Sequence, residues 1–237
     1  MEVSLMDLGI EFRGVKKKFG RKVALDHLTF VAKPGQITGL LGRNGAGKTT
    51  ALRILSQLEH PNEGTATING LPFSKHTPGS VGVSINLAFP PSRSVKAQLQ
   101  IAALSTGASS LQMNQIAALT EIENLNTLKC SELSLGMRQR LSLACALIAD
   151  PHTLILDEPV NGLDPDGIRW LHSFLRVEAD RGRTILVSSH YLHDMEQYVD
   201  KVVIIQREIL WQGEWPGDNT SSLAEIFDEV TNGNAIG

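Results

Sequence analysis

The sequence predicts an α/β protein with a mainly parallel sheet core, an N-terminal antiparallel β subdomain and an inserted α-helical subdomain. Three observations predict it. Short apolar and β-branched runs alternate with helix-patterned segments early in the chain and again after Pro151, as strands joined by crossover helices do. A glycine-rich loop, Gly42-Arg43-Asn44-Gly45-Ala46-Gly47-Lys48-Thr49, links the apolar run Ile37–Leu41 to a helical segment. Between these regions, about Ser94 to Ala149 is rich in Ala, Leu and Gln, with helical periodicity and few strand signals.

Taken in order, Ile10–Val15 and His27–Ala32 read as strands flanking a basic turn, Lys16-Lys17-Lys18 with Arg21-Lys22, and Pro34-Gly35 breaks the chain. Ile37–Leu41 is a compact strand. Lys48–Leu58 follows as a helix with Leu52 and Leu55 on one side, stopped by His60-Pro61-Asn62-Glu63-Gly64. Thr65–Asn69 is strand-like. After the helical stretch, Thr153–Leu156 reads as a buried strand, Gly167–Ala179 as a helix, Thr184–Ser188 as a strand and Tyr191–Val199 as a helix. Val202–Ile205 and Ile209–Gln212 make a final strand pair, and Ser221–Thr231 a terminal helix with a polar tail. The expected organisation is one domain over 1–237, with a helical subdomain at about 93–150 and the terminal helix and tail at 221–237.

Composition narrows the class. The 237 residues suffice for a substantial core, and 42% hydrophobic with 20% charged residues is ordinary for a water-soluble globular chain. A formal net charge of −3 gives no reason to expect a nucleic-acid partner. Cys130 and Cys145 lack metal-type spacing and read as two reduced thiols. Glu2, Asp7 and Glu11 are wrong for a secretory leader, and no run approaches the ~20 apolar residues that cross a bilayer. The chain is therefore expected in the cytoplasm unless a partner holds it at a membrane.

The glycine loop carries the first chemistry. A phosphate needs donors that converge without side chains in the way. Gly42, Gly45 and Gly47 let successive N–H groups point inward, and the helix that follows offers its positive N-terminal end. Lys48 adds a full charge at the β- and γ-phosphates and Thr49 a hydroxyl for Mg²⁺. Leu154-Ile155-Leu156-Asp157-Glu158 is the second half: an apolar strand ending in Asp157, suited to the Mg²⁺ shell, then Glu158, placed to polarise an attacking water. These features identify a P-loop ATPase.

Further motifs give a family resemblance. Leu133-Ser134-Leu135-Gly136-Met137-Arg138-Gln139-Arg140 resembles the signature motif of ATP-binding-cassette (ABC) ATPases, and lies ahead of the Asp157-Glu158 strand as in that family. Asn161-Gly162-Leu163-Asp164 resembles the family's D-loop, Ser188-Ser189-His190 its switch histidine, and Phe19 before Gly20 the aromatic that stacks on adenine. The resemblance runs from about Ile10 to Gln212. It implies a P-loop NTPase core of RecA-like type and a nucleotide set of Phe19, Asn44, Gly45, Ala46, Gly47, Lys48, Thr49, Thr50, Ser134, Gly136 and Asp164. It also implies Lys48, Glu158 and His190 as catalytic residues, with Thr49, Asp157 and Asn86 toward Mg²⁺. Ser134-Leu135-Gly136 also opens an apolar helix, and read alone Ser134 is an ordinary N-cap. The resemblance implies instead a meeting with ATP on the P-loop of a second copy.

The pattern departs from the family at Leu135 and Met137, where glycine and glutamine are commoner, and at Asn86, where a glutamine is usual. The wording of these motifs is similar to the branch that exports drugs, antibiotics and antimicrobial peptides. The resemblance thus implies an ATP-hydrolysing subunit, paired most simply with an identical one, driving a separate transmembrane permease from the cytoplasmic face of the membrane. A soluble ABC ATPase outside transport, or a nucleotide-gated module with weak hydrolysis, is the alternative.

Overall fold

The computed structural model describes residues 9–85, 88–216 and 221–232. Asn86 and the polar tail from 233 onward lie outside them. In chain order the elements are β1 (Ile10–Phe19), β2 (Lys22–Ala32), β3 (Ile37–Leu41), α1 (Lys48–Leu55), β4 (Glu63–Ile68), β5 (Val81–Ser84), α2 (Val95–Thr106), α3 (Ser110–Leu119), α4 (Leu135–Leu147), β6 (Thr153–Asp157), α5 (Pro165–Asp180), β7 (Thr184–Ser189), α6 (Leu192–Met195), β8 (Lys201–Gln206), β9 (Glu208–Glu214) and α7 (Leu223–Asn232). The chain forms two compact units, one of Met1–Lys75 with His172–Gly237, the other His76–Leu171. The second is broader than the helical stretch expected at about 93–150.

In the first unit, β1 pairs antiparallel with both β2 and β4. β3 lies parallel to β7 on one side and to β8 on the other, and β9 runs antiparallel to β8. Every residue of β3 and β7 is buried, which is why both read as short, mostly apolar runs rather than as alternation. Phe12 and Phe30 stack at 4.6 Å across the β1–β2 pair. The Asp200 carboxylate accepts the Ile37 N–H at 2.7 Å and holds the Arg176 guanidinium at 2.7 Å, tying β3, α5 and the start of β8 together.

The basic run is not a turn. β1 continues through Lys16, Lys17 and Lys18 to Phe19, and only Gly20-Arg21 turn the chain. Ion pairs from Lys16 to Glu63 (3.0 Å) and Lys17 to Glu59 (3.3 Å) support the extension, as does the Lys18 N–H donated to Asn62 Oδ1 at 2.6 Å. Two other segments also differ from expectation. α1 stops at Leu55, where Ser56 caps it. The helix expected over Tyr191–Val199 shrinks to α6, because Gln197 and Tyr198 donate three residues back rather than four. On α5, Leu171, Leu175 and Ala179 form the buried seam, whereas Val177 is exposed and Trp170 lies near the Arg140 guanidinium, 5.7 Å from its ring centre.

In the second unit, β5 and β6 pair in parallel, and α2, α3 and α4 enclose a core of Val95, Leu99, Ala103, Ile122, Leu133, Leu141, Ala144 and Ile148. Ser94 and Ser109 cap α2 and α3 through hydroxyls that accept backbone N–H groups three residues on. Leu99 is 1% exposed at the centre of this cluster. Leu99→Ala is expected to cost about 2–5 kcal/mol, read as a lower denaturation midpoint in urea.

Both thiols are free, and burial pushes Cys145 up to about 12, opposed by a hydrogen bond from Gln98. A thiol that ionises later folded than unfolded holds its proton in the native state while the unfolded chain loses it. Its contribution therefore weakens stability as pH rises above about 9 and levels off near 12. Below pH 9, Cys145 in the native protein is expected to react with iodoacetamide far more slowly than in urea, measured by mass spectrometry of the alkylated peptide.

Candidate nucleotide site

The phosphate loop grows out of the C-terminal end of β3. Arg43, Asn44 and Gly45 are exposed, Ala46 is buried, and Ala46 N–H closes a tight turn on the Arg43 carbonyl at 3.0 Å. Gly45 has φ +83° and Gly47 φ +108°. At Gly47 a Cβ would also stand 2.6 Å from the Ala24 carbonyl oxygen and from Leu25 Cδ2, so glycine is required twice over. Gly47→Ala is expected to cost about 1–3 kcal/mol and to weaken ATP binding. Thermal denaturation with a nucleotide titration would read both, and a variant with unchanged midpoint and affinity would refute the argument.

Gly47 is the N-cap of α1, and no side chain caps that helix. A bound phosphate would supply the missing acceptor and meet the positive end of the helix. Thr49 is exposed on the first turn and Thr50 half-buried beside it. Lys48 is 5% exposed, and its ammonium donates to the Gly42 carbonyl at 2.6 Å and the Arg43 carbonyl at 3.4 Å. The lysine is thus folded along its own loop, charge held where phosphate oxygens would lie.

A brace on this loop carries no signal in the sequence. Arg207, in the turn between β8 and β9, adopts φ +71°. Its N–H donates to the Ala46 carbonyl at 2.8 Å and its carbonyl accepts the Asp26 N–H at 2.8 Å. A charged residue between two strands gave no hint of this, because the contact is made by backbone alone. Phe19 ends β1, half-exposed, with the Lys17 ammonium 4.8 Å from its ring centre. His190 follows β7 directly, its ring 4.0 Å from that of Tyr191, and the Tyr191 N–H donates to Ser189 Oγ at 2.9 Å.

In the second unit, Asp157 closes β6 and Glu158 follows at φ +50°. Both are half-buried. A glutamate in the left-handed region is uncommon and costs of order 1 kcal/mol or more, so the surrounding chain must impose it. Asn161 N–H returns to the Glu158 carbonyl at 3.1 Å, closing the turn after it. Ser134 is the N-cap of α4, its Oγ accepting Met137 N–H at 3.2 Å. A Cβ on Gly136 would lie 2.4 Å from the Gly162 carbonyl oxygen, so the first turn of α4 packs directly on the Asn161–Asp164 loop. Asp164 Oδ1 accepts the Gly167 N–H at 2.8 Å and caps α5. Within this unit Ser134, Gly136 and Asp164 are neighbours, each with a structural task already.

Taken separately, the Thr49 hydroxyl of the first unit and the Asp157 carboxylate of the second are each oxygen donors of the type Mg²⁺ takes. Among the described residues no three His, Cys, Asp or Glu side chains gather into a self-sufficient metal nest. No helix among them is long and apolar enough to cross a membrane.

A phosphate loop on a parallel-stranded core, with its acidic strand, defines a P-loop ATPase. The family model described as ABC transporter matches residues 25–161. The chain is 37% identical over 205 residues to the Nod factor export ATP-binding protein I of Burkholderia lata, covering 83% of this chain and 67% of that protein. It is 37% identical over 207 residues to the bacitracin transport ATP-binding protein BcrA of Enterococcus faecalis, covering 85% and 67%. A solved ATP-binding subunit of an ABC transporter superposes with a TM-score of 0.84 at 26% identity, over 94% of this chain and 99% of that one. The chain belongs to the ABC transporter family, as an ATP-hydrolysing cassette.

Proposed function

We propose that this cassette powers export through a separate transmembrane permease, working as one of two cassettes that close on ATP. The observation that carries the reading is its 37% identity to a protein named for Nod factor export. A relative named for bacitracin transport supports it. The cassette would then act at the cytoplasmic face of the membrane, held there by the permease, with an identical copy as the simplest partner.

In this reading the loop Asn44–Thr50 wraps the phosphates, Lys48 turns from its loop carbonyls to the β- and γ-phosphates, and Phe19 stacks on the base. Thr49, Asp157 and the Asn86 amide would hold Mg²⁺, which neutralises charge developing on the phosphates. Glu158 orients the attacking water and His190 contacts the γ-phosphate. Ser134, Gly136 and Asp164 would meet the nucleotide of the opposing cassette, so that ATP is needed for closure and its hydrolysis for reopening. The segment from about Asn86 to Gln100 is our candidate contact for the permease.

The test is affinity purification of the tagged chain from detergent-solubilised membranes of its own host. A polytopic membrane protein is expected to co-elute in fixed proportion and to raise ATP turnover on reconstitution. Recovery of the cassette without any membrane partner would overturn the export reading and leave the ATPase assignment standing. Charge reversal at Arg93 and Lys96 that left co-elution unchanged would remove the candidate contact.

A further inference from the structure

Lys17 carries an ammonium that is largely enclosed, with a hydrogen bond, an ion pair and an aromatic ring around it. Its side chain is only 12% exposed. An ammonium has three donors and accepts nothing, so enclosing it demands three electron-rich partners. Lys17 has three. It donates to the His60 carbonyl at 2.7 Å, lies 3.3 Å from a Glu59 carboxylate oxygen, and sits 4.8 Å from the centre of the Phe19 ring.

Two of those partners belong to the turn that leaves α1. Leu58 and Glu59 N–H groups both return to the Arg53 carbonyl, at 2.9 and 3.1 Å, so this turn is fixed to the last turn of the helix that starts at the phosphate loop. Neighbouring bonds fasten the same strand to the same turn: Asn62 N–H to the Lys16 carbonyl at 2.8 Å, and Lys18 N–H to Asn62 Oδ1 at 2.6 Å. The hairpin tip bearing Phe19 is therefore not a loose flap. It is pinned to the far end of α1, whose near end carries the glycine loop.

Phe19 is 48% exposed while one face of its ring carries the ammonium. A cation on one face draws π-density toward itself, which leaves the opposite face less negative and a better platform for the π-cloud of a base. We propose that Lys17 is a positioning residue for the nucleotide base: it sets the Phe19 ring at a fixed distance from the phosphate loop and reserves one face of that ring for a purine. The inference rests on the reading of Phe19 as the base platform and adds the group that orients it.

The experiment measures equilibrium binding of ADP and of inorganic tripolyphosphate, which has the phosphates and no base, by calorimetry on the full chain. Lys17→Met keeps the aliphatic stem and removes the charge. It is expected to weaken ADP binding about five- to ten-fold and to change tripolyphosphate binding by less than about two-fold, consistent with the loss of one cation–π anchor. Lys17→Arg, which restores a cation that stacks on aromatic faces, is expected to recover most of the ADP affinity. Phe19→Ala separates the two layers of the argument. Full ADP affinity in Phe19→Ala would sink the base-platform reading itself. Weakened ADP binding in Phe19→Ala with full affinity in Lys17→Met would overturn only the role of Lys17. An equal loss for ADP and tripolyphosphate in Lys17→Met would also overturn it, because the lysine would then support the phosphate loop rather than the base.

Discussion

Lys48→Met is expected to lower ATP turnover by about 10²–10³-fold and to weaken ATP binding as well, because the lost charge faces the phosphates in both ground and transition states. The folded state should suffer little. The ammonium of Lys48 is enclosed, with the carbonyls of Gly42 and Arg43 among its partners, so removing it gives up hydrogen bonds but also the cost of burying a cation. Those opposing terms leave a net change within about 1 kcal/mol, small beside the functional loss. Lys48→Arg is not a mild substitute. A planar fork with five donors is a poor fit where a compact ammonium is folded against its own loop, so turnover should fall in that variant as well. The measurements are steady-state phosphate release, a nucleotide titration and a denaturation curve on each variant. Normal turnover in Lys48→Met would remove the lysine from the catalytic set, whatever happened to affinity.

Legibility in the sequence followed the range of the interaction concerned. β3, β6 and β7 are readable because each is buried along almost its whole length, which favours a mostly apolar run. The cap at Ser134 was readable because capping is decided within three residues. β1 extends beyond the expected Val15 because its last half is held by Glu59, Asn62 and Glu63, contacts no local window contains. The brace from Arg207 to Ala46 involves backbone groups far apart in the chain and leaves no trace in residue type. The left-handed turn at Glu158 was least legible of all. Glutamate has no preference for that region, so its position there reflects the chain around it and runs against its own propensity.

That turn makes Glu158 the residue where stability and chemistry are expected to separate. Glu158→Gln is isosteric and keeps whatever the backbone pays for φ +50°, so its denaturation midpoint should match the parent. Its turnover is expected to fall about 10²–10⁴-fold with ATP still bound, because an amide cannot take a proton from the attacking water. Glu158→Asn pushes the comparison further. Asparagine tolerates the left-handed region far better than glutamate, so this variant should be as stable as the parent or up to about 1 kcal/mol more stable, yet just as inactive. A gain in midpoint with a loss of turnover at one position would mean that the strain is maintained by selection for the carboxylate, since a residue kept for folding alone would have relaxed to asparagine or glycine. Differential scanning calorimetry and single-turnover hydrolysis on the two variants decide the matter. Near-normal turnover in Glu158→Gln would take the general-base role away from this residue. A marked loss of stability in Glu158→Asn would show instead that the glutamate side chain itself holds the turn in place.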